Sequence, residues 1–173
     1  MKILAIETSC DDTSIAIVEA TGGKTAPRFE VLANIVSSQT AIHRHWGGVV
    51  PNLAKREHLK NLPKIYRALT KKYSNILKNV GISSNADSKL SNIDLVAVTV
   101  GPGLEPSLWT GIEFAKKLSA KLKIPLVGAN HLEGHLYSFL LPPLTPVILI
   151  RPPAEKNPTR SFGRNPQDDA RTP

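Results

Sequence analysis

The first fifty residues show the alternation of apolar and polar positions that predicts β-structure. Three runs, Lys2–Thr8, Thr13–Ala20 and Phe29–Gln39, are rich in β-branched and apolar residues. Alternation with a period of two is typical of strands that bury one face. Because the connections between the runs are short, we expect an antiparallel meander of three strands.

A helical period replaces the alternation further along the chain. Between Leu53 and about Val80, apolar side chains recur every three or four residues, which predicts one face of a helix. Pro51 suits the first turn of that helix, because its missing N–H has no partner there. Pro63 lies inside the pattern, and we expect a kink or a break at that point.

The chain then alternates between predicted strands and predicted helices. Ile93–Val100 is a continuous apolar run, typical of a strand buried on both faces. A helix is expected from Pro106, followed by a strand at Ile124–Ala129, a helix at His131–Leu140 and a strand at Thr145–Ile150. The apolar face of the helix after Pro106 comprises Leu108, Ile112, Ala115, Leu118 and Leu122.

The predicted order is β-β-β-α-β-α-β-α-β, which indicates an α/β protein. Three antiparallel strands followed by αβ units are typical of the ribonuclease-H-like lobe of the actin-like and sugar-kinase (ASKHA) fold, a mixed sheet with helices on its faces. We therefore expect one lobe at residues 1–150. Residues 151–173 contain five prolines and three apolar residues, so we predict a disordered tail there. The abrupt change near Ile150 suggests a truncation or a shift of reading frame.

The charge of the chain favours a polyanionic partner. There are 22 lysines and arginines against 14 acidic residues, a net charge of +8, which suits nucleic acid but also suits a generic basic surface. Cys10 is the sole cysteine, so an intramolecular disulfide is excluded, in agreement with a reducing cytoplasm. No apolar run approaches the roughly 18 residues of a membrane span, so we expect a cytoplasmic protein without a membrane partner.

Two glycine- or hydroxyl-rich connections are candidates for ligand binding. The turn "TSCDD" carries Ser9 and Asp11, and backbone amides and small hydroxyls in such a turn can hold phosphate oxygens. The loop after the buried strand carries Gly101 and Gly103, which let the backbone approach a ligand before a helix begins. Both stretches are equally compatible with structural turns that need these residue types.

The stretch "NHLEGH" is a candidate metal site. Asn130 can cap a helix on which His131 and His135, four residues apart, share one face and reach one metal ion. Imidazole suits zinc, iron, nickel or copper. Glu133 does not directly follow the first histidine as in zinc proteases, so a protease role is not favoured. Two solvated surface histidines are the alternative, and two ligands alone do not complete a site.

A loop around Trp46 combines an aromatic ring with Arg44 and the basic residues that follow it. It could meet RNA or a partner protein, or it could be anchored by a buried Trp46. The remaining histidines of the chain are expected at the surface rather than as ligands. They are His43, His45 and His58.

Four motifs in this order resemble one family. "IETSCDDTSIAIV", "HWGGVVPNLAKREH", "TVGPGLEPSLWTGIEFAK" and "NHLEGH" are similar to the TsaD/Gcp/Kae family of tRNA N6-adenosine threonylcarbamoyltransferases, over about residues 1–150. The resemblance implies transfer of a threonylcarbamoyl group from threonylcarbamoyl-AMP to N6 of the adenosine beside the anticodon, in tRNAs reading codons that begin with A. It also implies a TsaB-like paralogue and a TsaE-like ATPase as partners.

The resemblance also assigns roles to residues. It implies that His131 and His135 bind one divalent metal ion, iron or zinc. It implies that Ser9, Asp11, Gly101 and Gly103 face the substrate, with Asp11 positioning or deprotonating the attacking amine.

The chain departs from the family after the last predicted strand. There the family has a Ser-Gly-Gly-His-Thr stretch, and the second lobe supplies the third metal ligand. This sequence has "RPPAEKNP" instead, so we expect little activity from the chain alone. A non-catalytic, TsaB-like scaffold remains the alternative, although such paralogues generally lack the paired histidines.

Overall fold

A single mixed sheet with two long helices forms the described part of the chain. The structure is a computed structural model, and it describes residues 1–79, 92–141 and 148–149. The strands are β1 (Lys2–Glu7), β2 (Asp12–Thr21), β3 (Arg28–Ser38), β4 (Leu95–Gly101), β5 (Leu126–Asn130) and β6 (Ile148–Leu149). The α-helices are α1 (Thr40–His43), α2 (Pro51–Asn79), α3 (Glu105–Leu122) and α4 (His131–Tyr137), with short 3₁₀ turns at Arg44–Trp46 and Ser138–Leu140.

The strand order of the sheet is β5-β4-β1-β2-β3-β6. β1, β2 and β3 form the predicted antiparallel meander, while β4 is parallel to β1 and β5 is parallel to β4. This arrangement confirms the expected mixed α/β sheet of the ribonuclease-H-like type. Because β1, β4 and β5 are parallel, their carboxyl ends meet at one edge of the sheet, and the polar motifs that follow them meet there too.

The core lies between one face of the sheet and the helices α2 and α3. On this face of the sheet, alternate residues of each strand are buried. Leu4 of β1, for example, pairs with Ile17 of β2 and Val96 of β4, and all three are fully buried. They pack with Leu69 of α2 and Ala115 of α3 in one apolar cluster. The two long helices therefore cover the same face, and they fix the position of the strand ends from that side.

Two expectations about regular structure need correction. The break expected at Pro63 is absent, because α2 runs through this residue as one helix. Pro63 and Leu59, whose carbonyl loses its partner, both lie on the exposed side of the helix, where water can hydrate that carbonyl. β4 is not fully buried on both faces: Val96 and Val98 are in the core, but Leu95 and Ala97, whose side chains point to the opposite face, are only partly buried.

The helix predicted at His131–Leu140 is divided into α4 and the 3₁₀ turn that follows it. Of the strand expected at Thr145–Ile150, only the two residues of β6 are described. The tail predicted to be disordered, residues 151–173, lies outside the described residues. Within the described part, no helix has both the length and the hydropathy needed to cross a membrane.

Candidate functional site

The carboxyl edge of the parallel strands carries most of the predicted site residues. Ser9 follows β1, Gly101 and Gly103 lie at the end of β4 and in the loop after it, and the two histidines of α4 follow β5. The sheet order places these three strand ends side by side. The fold therefore assembles one site from segments that are far apart in sequence.

The paired histidines converge at the start of α4. The side-chain oxygen of Asn130 caps the helix by accepting hydrogen bonds from the backbone N–H groups of Leu132 (2.9 Å) and Glu133 (3.1 Å), which confirms the predicted cap. The Nε2 atoms of His131 and His135 lie 3.1 Å apart, with the rings edge to face. Two imidazole nitrogens at this separation can share a proton or bind one cation.

Glu7 joins this pair, and sequence reasoning did not single it out. Its Oε2 atom lies 3.5 Å from Nδ1 of His131, and its carboxylate accepts hydrogen bonds from the backbone of Ser9 and the hydroxyl of Thr99. Burial raises the pKa of Glu7, but the hydrogen bonds from Ser9 and Thr99 and the charge of His131 lower that pKa overall. An anionic carboxylate is thus held beside the histidine, as the outer partners of metal-binding histidines are.

Ser9 and the glycine loop after β4 are in direct contact. The carbonyl of Ser9 accepts a hydrogen bond of 2.7 Å from the backbone N–H of Leu104. A Cβ atom on Gly103 would lie 2.6 Å from that same carbonyl oxygen, so only glycine fits there. Gly101 has a φ of 153°, a conformation that favours glycine. The structure therefore places Gly103 directly against Ser9, with Gly101 two residues before Gly103 at the end of β4.

Asp11 lies on the side of the β1–β2 turn that faces β3. Its carbonyl accepts a hydrogen bond of 2.9 Å from the backbone N–H of Gln39, and its side chain is a hydrogen-bond partner of the Cys10 thiol. Burial raises the pKa of Cys10, and the neighbouring carboxylate of Asp11 raises that pKa further. Cys10 is therefore a thiol rather than a thiolate at neutral pH.

His58 holds the β1–β2 turn from α2. Its Nε2 donates a 3.0 Å hydrogen bond to the carbonyl of Cys10, and its Nδ1 accepts from the hydroxyl of Thr13 at 2.8 Å and from the amide of Gln39 at 3.3 Å. Burial lowers the pKa of His58, so this set of bonds belongs to the neutral ring. The expectation of surface histidines is wrong for His58 and His43, which are both buried.

The loop before α2 exposes its tryptophan. Trp46 is 66% exposed, so the alternative of a buried anchor is wrong. Arg44 and His45, in the same 3₁₀ turn, are also exposed.

Within the described residues there is no group of three or more histidines, cysteines or acidic residues that could hold a metal ion. His131 and His135 are thus a two-ligand arrangement there, with Glu7 on the outer nitrogen of His131.

The model of the family described as TsaD, tRNA N6-adenosine threonylcarbamoyltransferase, matches residues 30–151. The chain belongs to this family. The family model covers Gly101, Gly103, His131 and His135, and it begins after the turn that carries Ser9 and Asp11.

Curated members of the threonylcarbamoyltransferase family match more of the chain. The tRNA N6-adenosine threonylcarbamoyltransferases of Thermosipho melanesiensis and Fervidobacterium nodosum are each 43% identical over 152 residues, or 87% of this chain. That of Prochlorococcus marinus is 38% identical over 151 residues. The chain spans about 40% of the length of the curated relatives it matches.

Two solved structures are similar to part of this chain at low sequence identity. YeaZ from Pseudomonas aeruginosa is 20% identical, with a TM-score of 0.45, over 80% of this chain and 49% of YeaZ. The Thermus thermophilus RuvC structure is 12% identical, with a TM-score of 0.41, over 75% of this chain and 64% of RuvC.

Proposed function

We propose that this chain forms the first lobe of a tRNA threonylcarbamoyltransferase, with residues 1–150 as the lobe. The reaction transfers the threonylcarbamoyl group of threonylcarbamoyl-AMP to N6 of the adenosine beside the anticodon. The observation that carries the proposal is the convergence of His131 and His135 beside Glu7, at the edge where Ser9 and the glycine loop also meet. A cytoplasmic location follows from a tRNA substrate.

The histidine pair fits a divalent metal ion. His131 and His135 would supply two nitrogen ligands, since their Nε2 atoms lie 3.1 Å apart and neither residue is buried. Iron and zinc are both compatible with imidazole ligands. When bound, such an ion supplies Lewis acidity toward carbonyl and carboxylate oxygens. Glu7 would orient the ring of His131 through Nδ1.

The remaining site residues bind and orient the two substrates. Ser9, Gly101 and Gly103 bring backbone close to the start of α3, where an anionic group of the adenylate would be favoured. Asp11 would accept a proton from, or align, the amine that attacks the carbamoyl carbon. In that step the new N–C bond forms, the bond to the adenylate phosphate breaks, and AMP leaves with the electron pair.

The chain would work with other components. The assembly would be completed by the second lobe found in the family, a TsaB-like paralogue and a TsaE-like ATPase. Without them, the chain would have little activity and weak metal affinity. A non-catalytic scaffold of the TsaB-like type is the alternative. The paired histidines favour the catalytic lobe, because a scaffold has no use for two converging imidazoles.

The function can be tested with a chimeric enzyme. Residues 1–150 would be joined to the second part of the Thermosipho melanesiensis relative, and product on unmodified tRNA would be measured by nucleoside mass spectrometry. Threonylcarbamoyl-AMP, paralogue and ATPase would be supplied. We expect product from the chimera, and loss of product in His131→Ala and His135→Ala. His45→Ala, which removes an exposed histidine, is the matched control and should retain activity.

Two results would contradict the proposal. One is a folded chimera that makes no product. The other is robust product formation by the isolated chain, which would show that no further lobe is needed. Zinc titration of the full chain adds a readout independent of turnover: both α4 histidine variants should lose affinity by at least about tenfold relative to wild type, and His45→Ala should not.

A further inference from the structure

The positive charge of the chain is concentrated on one helix. α2 contains eight of the 22 lysines and arginines and only one of the 14 acidic residues, Glu57. The rest of the chain carries 14 basic and 13 acidic residues and is close to neutral. The net charge of +8 is therefore almost entirely a property of α2 rather than of a generic basic surface.

Five of these basic residues form a line along the exposed side of the helix, which we call the α2 stripe. The stripe comprises Arg56, Lys60, Lys64, Arg67 and Lys71, all exposed. On 3.6-residue geometry these positions fall within about 80° of the helix circumference and extend over about 22 Å. The spacing produces a straight track of positive charge.

Few acidic residues neutralise the charge of the stripe, and the stripe has no apolar centre. Within the described residues, its one ion pair joins Lys60 to the buried carboxylate of Glu57 at 3.3 Å. Between Arg56 and Lys71, no apolar position of the helix lies within the arc that the stripe occupies. Protein interfaces are depleted in lysine and enriched in aromatic residues at their centres. Binding to a nucleic-acid backbone instead depends on rows of lysine and arginine that release counterions, so the stripe fits a polynucleotide better than a protein.

The direction of α2 relates the stripe to the candidate site. His58, near the start of α2, contacts Cys10 in the turn after β1, while Tyr73, near its end, lies beside Lys2 at the beginning of β1. The helix therefore runs antiparallel to β1. Arg56 and Lys60 lie at the end of α2 that is level with the candidate site, and the stripe leads away from it.

We propose that the α2 stripe binds the sugar-phosphate backbone of the RNA substrate. The identity of that RNA as tRNA rests on the proposed function, whereas the binding of a polynucleotide rests on charge and geometry alone. RNA held along the stripe would place one end of the bound segment at the site edge. The phosphates would supply affinity and register, and the site would select the reacting base.

The test is direct binding of RNA by the full chain. The affinity for a fluorescently labelled, unmodified tRNA transcript would be measured by anisotropy between 50 and 300 mM salt. The stripe variant combines Lys64→Gln, Arg67→Gln and Lys71→Gln. The matched control removes three exposed charges elsewhere, with Lys24→Gln, Arg28→Gln and Lys121→Gln. A conservative variant, Lys64→Arg with Lys71→Arg, keeps the charge of the stripe.

We expect the stripe variant to bind at least about tenfold more weakly at low salt, and its salt dependence to fall by about two counterions. The control and the arginine variant should stay within about threefold of wild type, and all melting curves should overlap because the residues are exposed. Equal losses of RNA affinity in the stripe variant and the control would overturn the proposal, because binding would then depend on the net charge of the chain and not on where the charge lies.

A different partner is also distinguishable. If the stripe variant keeps its affinity for tRNA but loses binding to the TsaB-like paralogue of Thermosipho melanesiensis, the stripe is a protein interface and the proposal is wrong. An inactive chimera would contradict the proposed function alone, because RNA affinity is measured here without turnover. Conversely, a stripe variant that binds RNA weakly while its histidine site stays intact would support the stripe proposal independently of the proposed function.

Discussion

Replacing His58 tests whether α2 holds the β1–β2 turn in place. Asparagine keeps an oxygen near the position of Nδ1, facing Thr13, but cannot reach the carbonyl of Cys10. Glutamine keeps a donor near the position of Nε2, which can still bind that carbonyl. The two variants therefore separate the bond that anchors the turn, 3.0 Å in the wild type, from the bond to Thr13.

The expected cost follows from the burial of this group. His58 is fully buried, and a buried polar group left without its partner costs about 1–3 kcal/mol. We expect His58→Asn to lower the free energy of unfolding by about that amount in urea titrations. Backbone amides of the turn at Cys10 and Asp11 should exchange hydrogen faster in His58→Asn than in His58→Gln. Equal exchange in both variants would refute the anchoring role.

The same residue predicts a dependence of stability on pH. Burial lowers the pKa of His58 in the folded chain below the ordinary value of 6.5. Below pH 6.5 the unfolded chain takes up a proton that the folded chain does not, so stability falls as the pH falls, until the folded-state pKa is reached. One proton contributes at most about 1.4 kcal/mol per pH unit. His58→Gln should flatten the curve below pH 6.5, and an unchanged curve would contradict this account.

Three further changes probe the packing and the site. Gly111→Ala should destabilise by about 1–3 kcal/mol in urea, because its Cβ would collide with the buried Thr8 hydroxyl; Gly134→Ala, which meets no atom within 4 Å, should leave stability equal or up to about 1 kcal/mol higher. Leu69→Ala empties a fully buried position and should cost about 2–5 kcal/mol, measured by thermal denaturation; a smaller loss would indicate a loosely packed core. Glu7→Gln should weaken zinc binding by about tenfold in calorimetry, and an equal affinity would exclude a role in orienting His131.

The regular elements were predictable because their signals are local. The alternation in β1–β3 and the helical period of α3 place their ends within about two residues of the observed bounds. The continuity of α2 through Pro63 was not predictable. Whether a missing hydrogen bond breaks a helix depends on whether the free carbonyl meets water, which is a property of tertiary packing.

The candidate site was predictable only where residues cluster in sequence. His131 and His135 lie on one turn of helix, and Asn130 caps it as expected. Glu7 has no such neighbour signal, since its partner Thr99 is 92 positions away in sequence. The partner of His58, Cys10, is 48 positions away, so neither its burial nor its tautomer could be derived from spacing. The features that could not be predicted from the sequence therefore depend on contacts between residues that are far apart in the chain.

The distance in sequence between Glu7 and Thr99 also has a consequence for biosynthesis. β1 can pair with β2 as soon as the meander leaves the ribosome, but its other edge has no neighbour until β4 is made. Glu7 and Thr99 are 92 positions apart, and at about 5–20 residues per second that length of chain takes about 5–18 s to synthesise. During that interval β1 is an exposed edge strand with an apolar face, a form prone to pair with other chains. The nascent chain thus passes through a defined window of aggregation risk before its site can form.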